Sequence, residues 1–111
     1  MVLPRFVIPE DQQVIVPEAA MRGAVRSMFE AVGMPSSEAA ECTDVLIVSD
    51  LRGNDSHGVS NMLRMYMENF IKAKAGLDAH RYGSNPQPKF QIVRDSPAGA
   101  VVDADGGMPC A

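Results

Sequence analysis

Apolar residues recur at helical spacing in three successive segments, and a glycine follows each segment. In the first, Pro17 and Glu18 suit the opening turn of a helix. The stripe that follows consists of Ala20, Met21, Ala24, Val25, Met28, Phe29 and Val32. This spacing is typical of an amphipathic helix that covers a partner surface. Because glycine is common just past a helix end, the pattern predicts a helix between Pro17 and Gly33.

The second segment, "SSEAAECTDVLIVSDLRG", predicts another helix. Ser36 or Ser37 is expected to cap its N-terminus, and Gly53 to end it. The connection to the first helix is short, so we expect the two helices to pack as antiparallel neighbours.

The third segment predicts a helix that begins near Ser56 or Ser60 and closes at Gly76. Its apolar stripe consists of Val59, Met62, Leu63, Tyr66, Phe70 and Ala73. Three helices with full apolar stripes predict one shared helical core.

Extended segments flank the helices. Residues 13–16 predict a short edge strand next to Pro17. Residues 90–94 and 100–102 predict two further strands, joined by the turn sequence "DSPAG". Two strands without further pairing are marginal in water, so the sheet is expected to be incomplete. The sequence thus predicts an α+β architecture with an extended arm at 1–16, a helical segment at 17–76, and a loop with the first strands at 77–111.

Composition excludes several classes of function. The chain has 111 residues, a length typical of one domain, and its net charge of −4 without a basic cluster argues against a nucleic-acid surface. No apolar run approaches the roughly 20 residues of a membrane-spanning helix. Prolines and acids interrupt the N-terminal stretch where a signal peptide keeps an apolar run. We therefore expect a cytoplasmic chain that contacts neither nucleic acid nor membrane.

Polar residues are concentrated between the second and third predicted helices, in "DLRGNDSHGVSNMLRMY" at residues 50–66. His57 is the residue most suited to proton transfer near neutral pH, Ser56 can hydrogen-bond its ring, and Gly58 lets a ligand approach the backbone. An exposed turn histidine is the more common explanation of such a pattern. Arg52 and Arg64 have guanidinium groups that match a carboxylate, although ion pairs with nearby acids explain them more simply.

A resemblance to a known family favours a functional site at His57 over an exposed turn histidine. "SDLRGNDSHGVSNMLRMYMENF" closely resembles the N-terminal signature of the malate/L-lactate dehydrogenase family, the type 2 NAD(P)-dependent 2-hydroxyacid oxidoreductases. The preceding helices and the following "NPQPKFQIVRDSPAGAVVDADGG" are also similar to that family, so the resemblance covers roughly residues 13–107. It implies a fold distinct from the Rossmann type. The lack of a G-x-G-x-x-G motif in this chain is therefore no objection.

The resemblance also implies a function and a site. Family members transfer a hydride between NAD or NADP and the C2 carbon of a 2-hydroxy or 2-oxo acid, and they are usually homodimers. The histidine of their SHG motif, here His57, is the acid/base at the substrate oxygen, and the preceding serine, here Ser56, supports it by hydrogen bonding. Arg64, and less strongly Arg52, would bind the substrate carboxylate. No metal is implied.

The sequence departs from the family in three places. Many members have an arginine four residues after the histidine, where this chain has Asn61. The link "KAKAGLDAHRYGSNPQP" is longer than usual, and "GGMPCA" stands where the family continues with a glycine-rich run. We therefore expect an N-terminal segment that is inactive in isolation, with its cofactor site largely outside it. The alternative is a non-catalytic helical module that pairs with a full-length paralogue.

Overall fold

Three α-helices precede a two-stranded antiparallel sheet in the computed structural model, which describes residues 7–77, 83 and 85–108. The helices are α1 (Glu18–Ala31), α2 (Ser36–Leu51) and α3 (Arg64–Lys74), and the strands are β1 (Gln91–Ser96) and β2 (Gly99–Asp103). The three predicted helices and the two C-terminal strands are confirmed. Predictions for residues 1–6 of the arm and for 78–82, 84 and 109–111 lie outside the described residues.

The predicted glycine stops are correct, and Gly53 shows why. At the end of α2, the Gly53 N–H donates to the Asp50 carbonyl at 2.8 Å, and the Asn54 N–H donates to the Ser49 carbonyl at 2.9 Å. This pair of bonds satisfies the last carbonyls of the helix. It requires a φ of +74° at Gly53, which costs glycine little. The motif fixes the direction in which the chain leaves α2 for the polar stretch.

One hydrophobic core lies among the three helices. Its buried residues are Val25, Phe29, Met34, Ala39, Cys42, Leu46, Leu63, Tyr66, Phe70 and Met108. Of the first predicted stripe, Val25 and Phe29 are buried, whereas Ala20, Ala24 and Met28 stay exposed. The packed face of α1 is therefore narrower than its apolar stripe.

The hairpin of β1 and β2 lies outside this core. Ile92 pairs with Val102 and Ser96 with Gly99, with an irregularity between Ile92 and Arg94. Every residue of both strands is exposed, including Ile92 at 67%. No helix in the described ranges is long and apolar enough to cross a membrane.

The predicted strand at 13–16 is wrong. These residues are exposed, with Val14 at 85% and Ile15 at 92%, and a short 3-10 turn at Glu10–Gln12 interrupts the extended arm before them. A strand needs a neighbour for its backbone hydrogen bonds. Among the described residues, the sheet contains only β1 and β2, so the β-branched segment at 13–16 has no strand to pair with.

The predicted serine cap of α2 is also wrong. No side chain caps this helix, and Ser36 is its first helical residue, after Pro35. The Ser36 hydroxyl instead donates to Glu30 Oε1 at 2.7 Å, and the same oxygen accepts a hydrogen bond from Arg26 Nε at 3.0 Å. These two hydrogen bonds hold the pKa of the Glu30 carboxyl below its usual range, and the one from Ser36 has the larger effect. Ser36 therefore connects α2 to α1.

Replacing Glu30 by Gln is expected to give a small loss of stability that depends on pH. The lowered pKa means that Glu30 stabilises the folded chain above the ordinary carboxyl range, and that this contribution is lost as the pH falls through the lowered pKa. Urea unfolding at neutral pH and at about pH 3 measures the change. The midpoint of Glu30→Gln should lie below wild type at neutral pH and converge with it in acid. Glu41→Gln, another exposed glutamate, is the control, and a difference that persists undiminished in acid would contradict the assignment.

Candidate functional site

The polar stretch between α2 and α3 folds as two short helical turns of different types. A 3-10 turn covers Asp55–His57, a π turn covers Val59–Leu63, and α-helical geometry begins only at Arg64. Helical structure that continues into α3 thus begins at Val59, next to the predicted start at Ser60, although its first turn is π rather than α. Gly58, with φ −95° and ψ −164°, is extended and separates the two turns. Single π turns are often found at functional sites.

The carboxylate of Asp50 holds this stretch against α2. Its Oδ2 accepts the backbone N–H of Val59 at 3.0 Å, which satisfies a donor at the start of the π turn. Gly58 is buried against the same carboxylate, and a Cβ at Gly58 would lie 1.5 Å from Asp50 Oδ1. Its negative φ is open to other residues, so space rather than backbone conformation requires glycine here.

This role of Asp50 was not predicted from the sequence, where Asp50 is only one of the acids near Arg52 and Arg64. No motif relates Asp50 to Gly58, because their contact arises from the turn that follows α2. The only signal in the sequence was the occurrence of both residues in one polar stretch.

The structure places Ser56 against the ring of His57. Ser56 Oγ lies 2.9 Å from His57 Nδ1 and donates a hydrogen bond to Asn54 Oδ1 at 3.2 Å. The backbone carbonyl of Ser56 accepts a hydrogen bond from Asn61 Nδ2 at 3.0 Å. His57 and Ser56 are exposed, so a ligand can reach the imidazole. Asn61 thus supports the backbone of the turn.

The two predicted carboxylate ligands lie at opposite ends of the stretch. Arg52 follows α2 directly, is exposed, and forms no ion pair within the described part of the chain. Arg64 begins α3, and its Nε lies 3.8 Å from Glu68 Oε1 with 78% of the arginine side chain exposed. A pair this exposed is weak, which leaves the guanidinium free to bind a ligand. Neither arginine contacts His57 or Ser56 by any hydrogen bond in the residues described.

Two clefts formed by described residues lie away from the histidine. A cleft of about 360 Å³ lies on the hairpin beside Arg94 and Gly99. Another of about 210 Å³ lies between Val16, just before α1, and the C-terminal end of α2, and Asp50 lines it. His57 lines neither. Across the described ranges, no cluster of three or more His, Cys, Asp or Glu side chains is arranged to hold a metal ion.

Comparison with known proteins relates this geometry to one family. Residues 16–110 match the family model described as malate/L-lactate dehydrogenase. The chain is 28% identical over 99 residues to a malate dehydrogenase of Pyrococcus horikoshii, covering 89% of this chain and 25% of that protein. It is 34% identical over 81 residues to an L-sulfolactate dehydrogenase of Methanocaldococcus jannaschii, covering 73% of this chain and 21% of that protein.

Solved structures give the same result. The structure of malate dehydrogenase from Pyrococcus horikoshii superposes with a TM-score of 0.70 at 29% identity, covering 85% of this chain and 24% of that one. The sulfolactate dehydrogenase structure from Methanocaldococcus jannaschii superposes with a TM-score of 0.64 at 30% identity, with the same coverage of 85% and 24%. The chain thus spans about a quarter of the length of these relatives, and the matched region contains the turn with His57.

Proposed function

The chain belongs to the malate/L-lactate dehydrogenase family, and from this we propose that it supplies the proton-transfer residue of an NAD(P)-dependent oxidoreductase acting on the CH–OH group of 2-hydroxy acids. The observation that carries the proposal is the exposed Ser56–His57 pair at 2.9 Å, in the region similar to the dehydrogenases. Two relatives are named as dehydrogenases of malate and of sulfolactate, and both of these compounds are 2-hydroxy acids.

His57 serves both directions of this reaction. When a 2-oxo acid is reduced, negative charge develops on the C2 oxygen, and an imidazolium neutralises it by giving up a proton. When the alcohol is oxidised, the neutral imidazole takes the hydroxyl proton as the hydride leaves C2. A positioned acid/base of this kind typically contributes about 10²- to 10⁴-fold in rate. The proposed role of Ser56 is to orient the ring through Nδ1.

The nicotinamide cofactor, NAD or NADP, would supply or accept the hydride. The described residues around His57 include no glycine-rich loop or basic cluster suited to its phosphates. We propose that the residues which hold the cofactor belong to a region that corresponds to the part of the relatives outside the match. Family resemblance also supports a homodimeric, cytoplasmic protein.

A chimera tests the proposal. Residues 16–107 replace the matching quarter of the Pyrococcus horikoshii malate dehydrogenase, and nicotinamide absorbance reports turnover of malate, lactate and sulfolactate with NAD and with NADP. We expect turnover by the chimera. The isolated 111-residue chain should show neither turnover nor a change in NADH fluorescence. A chimera that folds and binds cofactor but oxidises none of these acids would contradict the proposal.

Arg64 is proposed to bind the substrate carboxylate, and its replacement is expected to act mainly on KM. Loss of a charged, bidentate hydrogen-bonded contact in Arg64→Ala should raise KM by about 10- to 100-fold. Arg64→Lys keeps the charge but cannot form the bidentate contact, so a smaller rise in KM is expected. Lys72→Ala, an exposed cation on the same helix, is the control in the chimera. Unchanged KM values in both Arg64 variants would make Arg64 a surface charge.

The alternative function, a non-catalytic module that pairs with a full-length paralogue, is favoured by one observation. The hairpin exposes apolar side chains on both strands, including Ile92 at 67% and Val93 at 66%. Mixing the isolated chain with a full-length family member and measuring complex formation by size-exclusion chromatography distinguishes the two. A stable complex together with an inactive chimera would favour the module.

A further inference from the structure

We propose that Asn54 is a positioning residue for His57. Through the Ser56 hydroxyl, Asn54 holds the neutral ring of His57 in the tautomer with its hydrogen on Nδ1, which makes Nε2 the atom that exchanges protons with a ligand. The importance of Nε2 rests on the proposed function above. The tautomer itself is measured without turnover, so the two proposals fail separately.

A count of hydrogens leads to this assignment. The Ser56 hydroxyl has one hydrogen, and it is donated to Asn54 Oδ1 at 3.2 Å. At its other contact, 2.9 Å from His57 Nδ1, the Ser56 oxygen must therefore accept. The hydrogen in that contact belongs to Nδ1. A neutral imidazole has one N–H, so Nε2 carries a lone pair and accepts.

Backbone hydrogen bonds hold Asn54 where its side chain can bind the Ser56 hydroxyl, which in turn contacts His57. Its N–H donates to the Ser49 carbonyl at 2.9 Å, and its carbonyl accepts the His57 N–H at 3.0 Å. Asn54 is therefore bound at once to the end of α2 and to the turn that carries the histidine. Its side-chain oxygen needs only a short reach to the Ser56 hydroxyl.

The contacts from Asn54 to Ser56 and from Ser56 to His57 suit a histidine that both accepts and donates a proton. When Nε2 takes a proton, the ring becomes imidazolium and the Nδ1–H bond to Ser56 is unchanged. When Nε2 gives the proton back, the ring returns to the same tautomer. With the hydrogen on Nε2 instead, a neutral ring has no lone pair on the nitrogen that faces the ligand. The side chains of Asn54 and Ser56 thus keep the exchangeable site on one nitrogen.

Nitrogen-15 NMR of the 111-residue chain tests the assignment. Spectra of the imidazole nitrogens at mildly alkaline pH distinguish the two tautomers, and His80→Gln leaves His57 as the only histidine. We expect wild-type His57 to be mainly Nδ1–H. In Asn54→Ala the ratio of Nδ1–H to Nε2–H should fall by about tenfold, the effect of one lost hydrogen bond. In Asn54→Asp, which retains an oxygen acceptor, the wild-type ratio should be kept.

Asn61→Ala is the matched control. Asn61 binds the backbone carbonyl of Ser56 and leaves its hydroxyl alone, so its loss should not change the tautomer ratio. Circular dichroism verifies that each variant keeps its helices. A wild-type His57 that is mainly Nε2–H would overturn the proposal, as would equal ratios in wild type and Asn54→Ala. An inactive chimera with the expected ratios would instead count against the proposed function alone.

Discussion

Replacing His57 by Asn in the chimera lowers kcat by about 10²- to 10⁴-fold for both oxidation and reduction. Asparagine offers hydrogen bonds but does not exchange a proton near neutral pH, so the substrate oxygen loses its acid/base. Cofactor affinity, measured by NADH fluorescence, should stay close to that of the parent chimera because the cofactor site is proposed to lie elsewhere. Stability should change little, since His57 is exposed.

The second histidine provides the control for this experiment. His80→Asn makes the same chemical change outside the polar stretch and should leave kcat unaltered. If His57→Asn retained the turnover of the parent chimera, His57 would have no part in the chemistry, and the Ser56–His57 contact would be a feature of the surface only.

Adding a single methyl group at Gly58 is expected to disrupt the site by displacing the Asp50 carboxylate that supports it. The new Cβ would lie 1.5 Å from Asp50 Oδ1, so the Asp50 carboxylate must leave its position. The Val59 N–H then loses its partner, at a cost of about 1.5–3 kcal/mol for a hydrogen bond to a charged group. Urea unfolding of the isolated chain measures this loss, and the turnover of the Gly58→Ala chimera should fall with it as the histidine turn shifts.

A double-mutant cycle separates this explanation from general crowding. Asp50→Ala loses the same hydrogen bond without adding an atom, so Asp50→Ala and Gly58→Ala should cost similar amounts, and the double variant no more than either. Asp50→Asn, whose amide oxygen can still accept from Val59, should cost less than Asp50→Ala. Additive losses in the double variant would show that the two residues are not coupled through the carboxylate.

Local signals account for the parts of the fold that the sequence predicts correctly. Gly53 ends α2 because the turn needs a positive φ, which is a property of a single residue. The spacing that predicts α1 places Val25 and Phe29 on the face that the core buries. Both features depend on residues within a few positions of each other, so they can be read along the chain.

The failures come from contacts between residues that the sequence does not place together. Residues 13–16 have the β-branched composition of a strand, but a strand also needs a neighbour, which no local pattern supplies. Ser36 is suited to capping, yet Glu30, on the preceding helix, binds its hydroxyl. The breadth of the first apolar stripe likewise did not indicate which of its residues the other helices would cover.

The candidate site shows the same division. Ser56 and His57 are neighbours in sequence, so their contact was expected. The bonds from Ser56 to Asn54 and from Val59 to Asp50 depend on how the chain turns after α2, which no local pattern in the sequence indicates. Asn61 was noted as the loss of an arginine, but its hydrogen bond to the Ser56 carbonyl became visible only in the folded turn.

The pH dependence of the chimera in both directions tests the central claim most directly, since that claim is proton transfer by His57. The quantity to measure is kcat/KM for oxidation of a 2-hydroxy acid and for reduction of the matching 2-oxo acid, each as a function of pH. Oxidation should rise with pH because it needs the neutral imidazole, and reduction should fall with pH because it needs the imidazolium. In His57→Gln both dependences should disappear along with most of the rate. Profiles that keep the same shape in His57→Gln would show that another group transfers the proton.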